Sequence, residues 1–470
     1  MVLRRISHCF IWLCLFVCTS VADEVRIYTG SIEVPTLGPL EMSLGVAEGN
    51  EGTYLLLTVP TQGTQDIPLK ATFMQGGMLF AELPQAGLSF EVKENKDQSK
   101  LTGVMHQGLE FLIDFIRVEE LSTLIRPQEP KAPFPYTERE VTVLHPDNFL
   151  LQGTLTIPEG KGPFPCAVMI SGSGQQDRDE TMMGHKPFLV IADYLSRIGI
   201  AVLRYDDRGI GGSVMEDYGL LRNATSVDFA TDAALMVHAA RLHPEIDARR
   251  VGVIGHSEGG LIGPMVAVED SALAFVVMLA GPGVSGDEIL LLQQSLILES
   301  AGATEEQIDR LKNASLSMYE LMEAGAIDEE VVDLMLELVI VQTEIQGITL
   351  DDAALEEVME DGMEQMYSPW MQYFLFYDPA PTLTEVDCPI LAMNGTLDLQ
   401  VDANQNLPAI ATAVEEAGGD LTIVKLENLN HLFQPATTGA ISEYGQIEIT
   451  FDQEALGVMG AWLLEVTDDD

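Results

Sequence analysis

Arg250-Val251-Gly252-Val253-Ile254-Gly255-His256-Ser257-Glu258-Gly259 joins two textures of sequence. Val251 to Ile254 is an apolar run of strand length, and Gly260 to Val268 beyond it has helix-like spacing. The pattern G-x-S-x-G at Gly255 to Gly259 lies between them and occurs once in the chain. A strand that turns this sharply into a helix strains the serine backbone, and flanking side chains would clash, so glycines stand on both sides. Strand, tight turn and helix in that order make Ser257 a candidate nucleophile at a sheet edge.

Serine is a weak nucleophile at neutral pH. It needs a base within hydrogen-bond reach, and the base needs a carboxylate to orient it. In the chain order serine, acid, histidine, the base lies beyond Ser257, and one histidine does: His431, in Asn428-Leu429-Asn430-His431-Leu432-Phe433, just after the last expected strand. Asp398 follows the run Ile390 to Met393 and the turn Asn394-Gly395-Thr396, which puts it at the carboxyl edge where ligands gather. Asp402, four residues on, is its competitor, whereas Asp387 precedes the strand and belongs at the opposite end.

Acyl chemistry at a serine also needs N–H donors for an oxyanion. The backbone N–H of Glu258 is one, because it opens the helix after the elbow. The second is expected from Ser171-Gly172-Ser173-Gly174-Gln175, after the buried run Cys166 to Ile170, with Ser173 chosen and Gly174 next. The loop Arg204-Tyr205-Asp206-Asp207-Arg208-Gly209-Ile210-Gly211-Gly212-Ser213 has glycines but no P-loop lysine, and its paired aspartates would repel phosphate. It reads as a charge-paired scaffold under the site.

Further out, Val141 to Val143 pairs with Gly153 to Ile157. The runs at Ile200 to Arg204, Phe275 to Leu279, Ile390 to Met393 and Leu421 to Leu426 alternate with helical segments such as Pro187 to Arg197 and Val227 to Leu242. Apolar strands separated by helices imply an α/β architecture, a mostly parallel sheet covered on both faces. Residues 286–387 interrupt this alternation with helical pattern, 24 acidic residues against Arg310 and Lys312 alone, and seven of the 21 methionines. A helical cap over the carboxyl edge of the sheet is the functional reading, and Trp370, Tyr373 and Phe374 are its candidate substrate-binding residues, with core packing of the cap as the alternative.

Upstream the texture changes. Short apolar or alternating runs from Val25 to about Arg126 (Val25 to Tyr28, Tyr54 to Val59, Met78 to Leu83, Leu88 to Val92, Phe111 to Val118) are broken by turn residues and argue for a small all-β domain at 23–126. Its one histidine, His106, belongs to no recognisable catalytic constellation. Four prolines in nine positions from Pro127 to Pro135 argue for a stiff connector, placed at 127–139, ahead of a domain at 140–470. Residues 1–22 read as a secretory signal, with Arg4-Arg5, an apolar stretch too short to span a bilayer and Ser20-Val21-Ala22 as the cleavage site. The mature chain is then periplasmic or secreted, with no stable membrane insertion.

The 470 residues carry 24 Lys plus Arg against 73 Asp plus Glu, a net charge of −49 spread along the chain. Such a field repels phosphate backbones, so no nucleic-acid partner is expected. It suits saline media, where salt shortens the reach of self-repulsion. Cys9, Cys14 and Cys18 leave with the signal. Cys166 and Cys388 adjoin separate strands and read as buried free thiols. No His/Cys cluster has metal-ligand spacing, so neither metal nor cofactor is expected.

Taken together, the elbow at Ser257, the stretch Ser171-Gly172-Ser173-Gly174-Gln175-Gln176-Asp177-Arg178-Asp179, the Asp-Arg-Gly loop and the Leu429-Asn430-His431 end resemble the α/β-hydrolase superfamily. More closely, the chain is similar to bacterial carboxylesterases that join a small N-terminal β domain to a hydrolase domain with a helical cap. In one respect it departs from them, with Ser171-Gly172 where many relatives carry His-Gly. The resemblance implies an α/β-hydrolase fold and hydrolysis of a small-molecule ester through an acyl-enzyme, with Ser257, His431 and Asp398 as the triad. A peptidase or thioesterase with the same triad, and a non-catalytic binding protein of this fold, are the competing readings.

Overall fold

Period-2 burial shapes the N-terminal stretch. In the strand Gly52–Val59 the side chains of Thr53, Leu55 and Leu57 are buried while Tyr54 and Leu56 between them are only partly so, as a half-buried strand requires. The structure, a computed structural model, describes residues 25–34, 38–49, 52–59, 64–83, 88–107, 109–119, 126–325, 329–346 and 352–468. The signal read at 1–22 lies outside the described residues.

Eight antiparallel strands form a closed barrel: β1 (Val25–Val34), β2 (Gly38–Gly49), β3 (Gly52–Val59), β4 (Thr64–Phe73), β5 (Leu79–Leu83), β6 (Leu88–Glu94), β7 (Lys100–Gln107) and β8 (Leu109–Val118). Each pairs with the next, and β1 closes on β8 through Ile27 to Val118. Closure removes both sheet edges. Tyr28, Leu44, Leu55, Leu69, Phe90, Leu101 and Phe115 fill the interior. The sequence reading expected five of these strands and missed β2, β4 and β7.

The chain divides into two compact units. One contains the barrel together with Met182–His185 and Met335–Met363; the other contains Arg126–Thr181, Lys186–Leu334 and Glu364–Asp470. The second unit is built on an eight-stranded sheet in the order β16-β15-β14-β13-β11-β12-β10-β9, from β9 (Tyr136–Leu144), β10 (Leu150–Pro158), β11 (Phe164–Ile170), β12 (Ala201–Tyr205), β13 (Ile246–His256), β14 (Val276–Leu279), β15 (Ile390–Gly395) and β16 (Leu421–Leu426). β9 and β10 run antiparallel at one edge, and β11 to β16 pair in parallel. The first strand thus begins at Tyr136, inside the stretch read as connector. Ahead of it, Arg126 donates to Gly445 O and Ile447 O, and Gln128 bonds Phe451 O.

Helices cover both faces of this sheet. On one face lie α1 (Pro187–Arg197) and α13 (Gln453–Val466), through Phe188, Ile191, Leu195, Leu456, Met459 and Leu463. The opposite core takes Met236 from α3 (Ser226–Leu242), Ile262 and Val266 from α4 (Glu258–Glu269), and Leu407 and Ile410 from α11 (Ala403–Ala417). A parallel sheet buried on two sides explains the continuous apolar runs of its strands. The short α2 (Tyr218–Arg222) precedes α3.

Between β14 and β15 the helices α5 (Gly286–Ser300), α6 (Glu305–Glu323), α7 (Glu329–Gln346), α8 (Asp352–Met366), α9 (Pro369–Phe376) and α10 (Pro379–Thr384) follow one another. The residual short helix α12 (Ile441–Tyr444) lies after the His431 loop. Among the described residues, no helix is long and apolar enough to cross a membrane. Cys166 and Cys388 are free thiols; Cys166 is buried as expected, and Cys388 only half-buried because it precedes β15 rather than standing within it. Burial raises their thiol pKa to about 12 and about 11.

Candidate active site

β13 delivers His256 to the carboxyl edge of the sheet, and α4 begins at Glu258, which leaves Ser257 alone in the turn. Its backbone has φ 54° and ψ −121°, a region that a serine enters only when its surroundings hold it there. The holding bonds are Ser257 N–H to Leu279 O and Gly260 N–H to Ser257 O, each 2.8 Å. A Cβ at Gly255 would stand 1.9 Å from Gly259 O, and one at Gly259 would stand 2.1 Å from Ile170 O. Those contacts are why the motif needs glycine at both places.

The structure brings Asp398 and His431 together, with His431 Nδ1 2.8 Å from Asp398 Oδ2. Both are buried. Asp398 Oδ1 accepts the N–H groups of Gln400 at 2.8 Å and Val401 at 2.9 Å, so each oxygen of this carboxylate has a fixed task. The competitor Asp402 is used otherwise: it caps α11, accepting from Asn404 N and Gln405 N. His431 rides on a tight loop organised by Asn430, whose Oδ1 accepts from Leu432 N at 3.0 Å and Gln434 N at 2.9 Å. The ring of His256, next in the chain to Ser257, lies 4.8 Å from that of His431.

The loop after β11 passes close to the elbow. A Cβ on Gly172 would stand 3.1 Å from Ser257 Cβ, and Gly172 N–H donates to Glu180 Oε1 at 2.9 Å. Asp207 braces the same loop from beneath: it accepts the Ser171 hydroxyl at 2.7 Å and Gln176 N–H at 2.8 Å, and burial pushes its carboxyl well above the usual range. The Asp-Arg-Gly loop is charge-paired, as expected. Asp206 takes Arg178 through both oxygens, and Arg208, almost fully buried, takes both oxygens of Asp232.

Glu258 is tied into the site through its side chain. Its buried carboxylate accepts the Ser226 hydroxyl at 2.6 Å, the Trp370 indole N–H at 2.9 Å and the Ser173 hydroxyl. Burial raises its pKa, and these hydrogen bonds offset only part of that rise. Trp370 therefore reaches the elbow from α9, stacked on Phe374 at 5.5 Å. Phe374 itself is buried where α9 meets α5, and Tyr373 stacks on Tyr377 at 5.2 Å. Sequence reasoning missed Glu180 and the link from Trp370 to Glu258. The signal for the first was present in the charge-dense run Asp177-Arg178-Asp179-Glu180 directly after a buried strand.

A family model described as "Serine aminopeptidase, S33" matches residues 186–336. Esterase EstD of Thermotoga maritima is 33% identical over 189 residues, which is 39% of this chain and 43% of that protein, so the match spans less than half the length of that relative. Among solved structures, 2,6-dihydroxy-pseudo-oxynicotine hydrolase is similar at 16% identity, covering 71% of this chain and 68% of that one with a TM-score of 0.40. A dienelactone hydrolase from Anabaena variabilis is similar at 15% identity, covering 70% and 98% with a TM-score of 0.40. A parallel sheet with a strained serine elbow at one strand end, an acid after a later strand and a histidine on the loop after the last strand is the arrangement of one superfamily. From Tyr136 onward, the part of the chain that carries the elbow has the α/β-hydrolase fold.

Proposed function

We propose that the protein is an exported serine hydrolase that cleaves carboxylic esters through an acyl-enzyme. Ser257 attacks the ester carbonyl, and His431 Nε2 takes its proton and passes it to the departing alcohol. Asp398 holds the Nδ1–H tautomer and faces the imidazolium that forms. The N–H groups of Glu258 and Ser173 receive the oxyanion, and Trp370, Tyr373 and Phe374 shape the acyl side. Water activated by His431 then releases the acid. No cofactor enters this scheme.

The observation that carries the reading is the 2.8 Å contact between Asp398 and His431, on the loop tied to the residue preceding a strained serine. The relative named as an esterase supports the choice of ester. The description of the matching family model favours a second reading, a serine aminopeptidase. Export rests on residues 1–22 and places the mature protein in the periplasm or outside the cell.

Short p-nitrophenyl esters should be hydrolysed by the wild type and not by Ser257→Ala, whose residual rate should lie roughly 10³-fold or more below. A fluorophosphonate should modify Ser257 alone; label on any other residue rejects the assignment. Turnover of aminoacyl anilides in preference to esters would select the aminopeptidase reading.

A further inference from the structure

The ring of His256 has its charge state set by its neighbours. Its Nε2 lies 2.9 Å from His431 O and its Nδ1 lies 2.9 Å from Glu180 Oε1. A carbonyl oxygen and a carboxylate oxygen both accept, so both ring nitrogens donate, and an imidazole with two N–H groups is a cation. We propose that His256 and Glu180 form a buried imidazolium–carboxylate pair that positions the catalytic groups by pinning the elbow, the oxyanion loop and the His431 loop together. This rests on the serine-hydrolase reading above.

Each arm of the pair reaches a different part of the site. Glu180 Oε1 also accepts Gly172 N–H at 2.9 Å, which ties down the loop that passes Ser257. His256 is bonded in the chain to Ser257, and its Nε2–H holds the backbone carbonyl of the residue that supplies the base. Both side chains are almost wholly buried, Glu180 at 2% exposure and His256 at 5%. Glu180 also has φ 51°, a left-handed backbone that a glutamate adopts only under constraint, and its N–H is held by Asp177 O.

The surroundings explain why the pair is needed as a pair. Pro187, Phe188, Ile191, Leu279, Leu432 and Phe451 line the space around it and offer no charge. Among the described residues, the other ionisable groups facing His256 are Asp398 and the His431 ring. Burial, the largest single influence, lowers the imidazole pKa, but Glu180, the His431 carbonyl and Asp398 together outweigh it and the net shift is upward. Removing either partner leaves an uncompensated charge or an unpaired donor in an apolar site. The pair as a whole is neutral, so it orders the loops without placing net charge beside His431.

The test is steady-state hydrolysis of p-nitrophenyl acetate by wild type, Glu180→Ala and Glu180→Gln, with nitrogen-15 NMR of histidine-labelled wild-type protein. Glu180→Ala should lower kcat by up to roughly 100-fold with KM within about twofold, as small misplacements of catalytic groups do. Glu180→Gln should recover part of that loss, because its amide oxygen, standing where Oε1 stands, still accepts both Gly172 N–H and His256 Nδ1–H. In the wild type, His256 should show two protonated ring nitrogens at neutral pH. A neutral His256, a Glu180→Ala kcat within about twofold of wild type, or no recovery in Glu180→Gln overturns the proposal. Should the variants fail to fold, the NMR measurement decides by itself. Retained hydrolysis by Ser257→Ala would instead reject the underlying enzyme reading, with the charge state of His256 still readable.

Discussion

Glu258 carries two tasks at one position. Its N–H is the first of α4, while its carboxyl accepts from Ser226, Trp370 and Ser173 in a buried setting. No cation is among those partners. Because burial raises its pKa above the ordinary 4.5, the folded state holds the proton more tightly than the unfolded chain does. Stability from this group is therefore full below the unfolded value and is lost as pH rises through the folded one. Glu258→Gln keeps the acceptor for Ser226 and Trp370 and removes the titration. Its melting temperature should gain on that of the wild type as pH rises above about 5, read by circular dichroism. Parallel pH profiles for the two proteins would show that the carboxyl does not titrate in this way.

At the scale of elements, the loop after β16 has the hardest task, since it must present His431 to Asp398 without help from regular structure. Asn430 does this with one buried side chain: two backbone N–H groups end on its Oδ1, and its Nδ2 donates to Gln434 Oε1 at 2.8 Å. Asn430→Ala leaves those donors unmet at a cost of about 1–3 kcal/mol. It should also lower kcat more than it changes KM, which urea unfolding and ester kinetics measure together. An unchanged unfolding midpoint would mean that water takes over the role of the amide. The elements themselves differ in how visible they are from sequence. β11, β15 and the Val251 to Ile254 part of β13 are apolar on both faces and read as strands at once. β2 and β4 keep their alternation, Leu40-Met42-Leu44-Val46 and Ile67-Leu69-Ala71, but Gly45 and Pro68 between those residues disguise it, and in β7 Gly103 takes an inward place between Leu101 and Met105. A closed barrel gives each strand two partners, so pairing holds segments that their own propensity leaves ambiguous.

Across the whole molecule, 73 acidic residues oppose 24 basic ones. The basic residues with the best-defined partners are drawn inward: Arg208 on Asp232, Arg178 on Asp206 and Arg126 on the carbonyls of Gly445 and Ile447. The outer surface is left with unbalanced negative charge, which opposes compaction until salt screens it. Raising NaCl from about 0.01 M to about 1 M shortens the Debye length from roughly 30 Å to 3 Å, so the melting temperature should rise across that range, most steeply at the low end. A flat or falling curve in calorimetry would show that self-repulsion does not limit stability. The amino-acid string alone was enough for the sheet-and-helix layering and the glycine-flanked elbow at Ser257, because apolar periodicity and glycine spacing are local properties; between Asp398 and Asp402 as the partner of His431 only the fold decided. Glu180 beside His256, Trp370 on Glu258 and the closure of β1 on β8 came only from three-dimensional packing. Each joins residues far apart in the chain, and nothing along the chain records which distant donor will meet a buried acceptor until the sheets have formed around it.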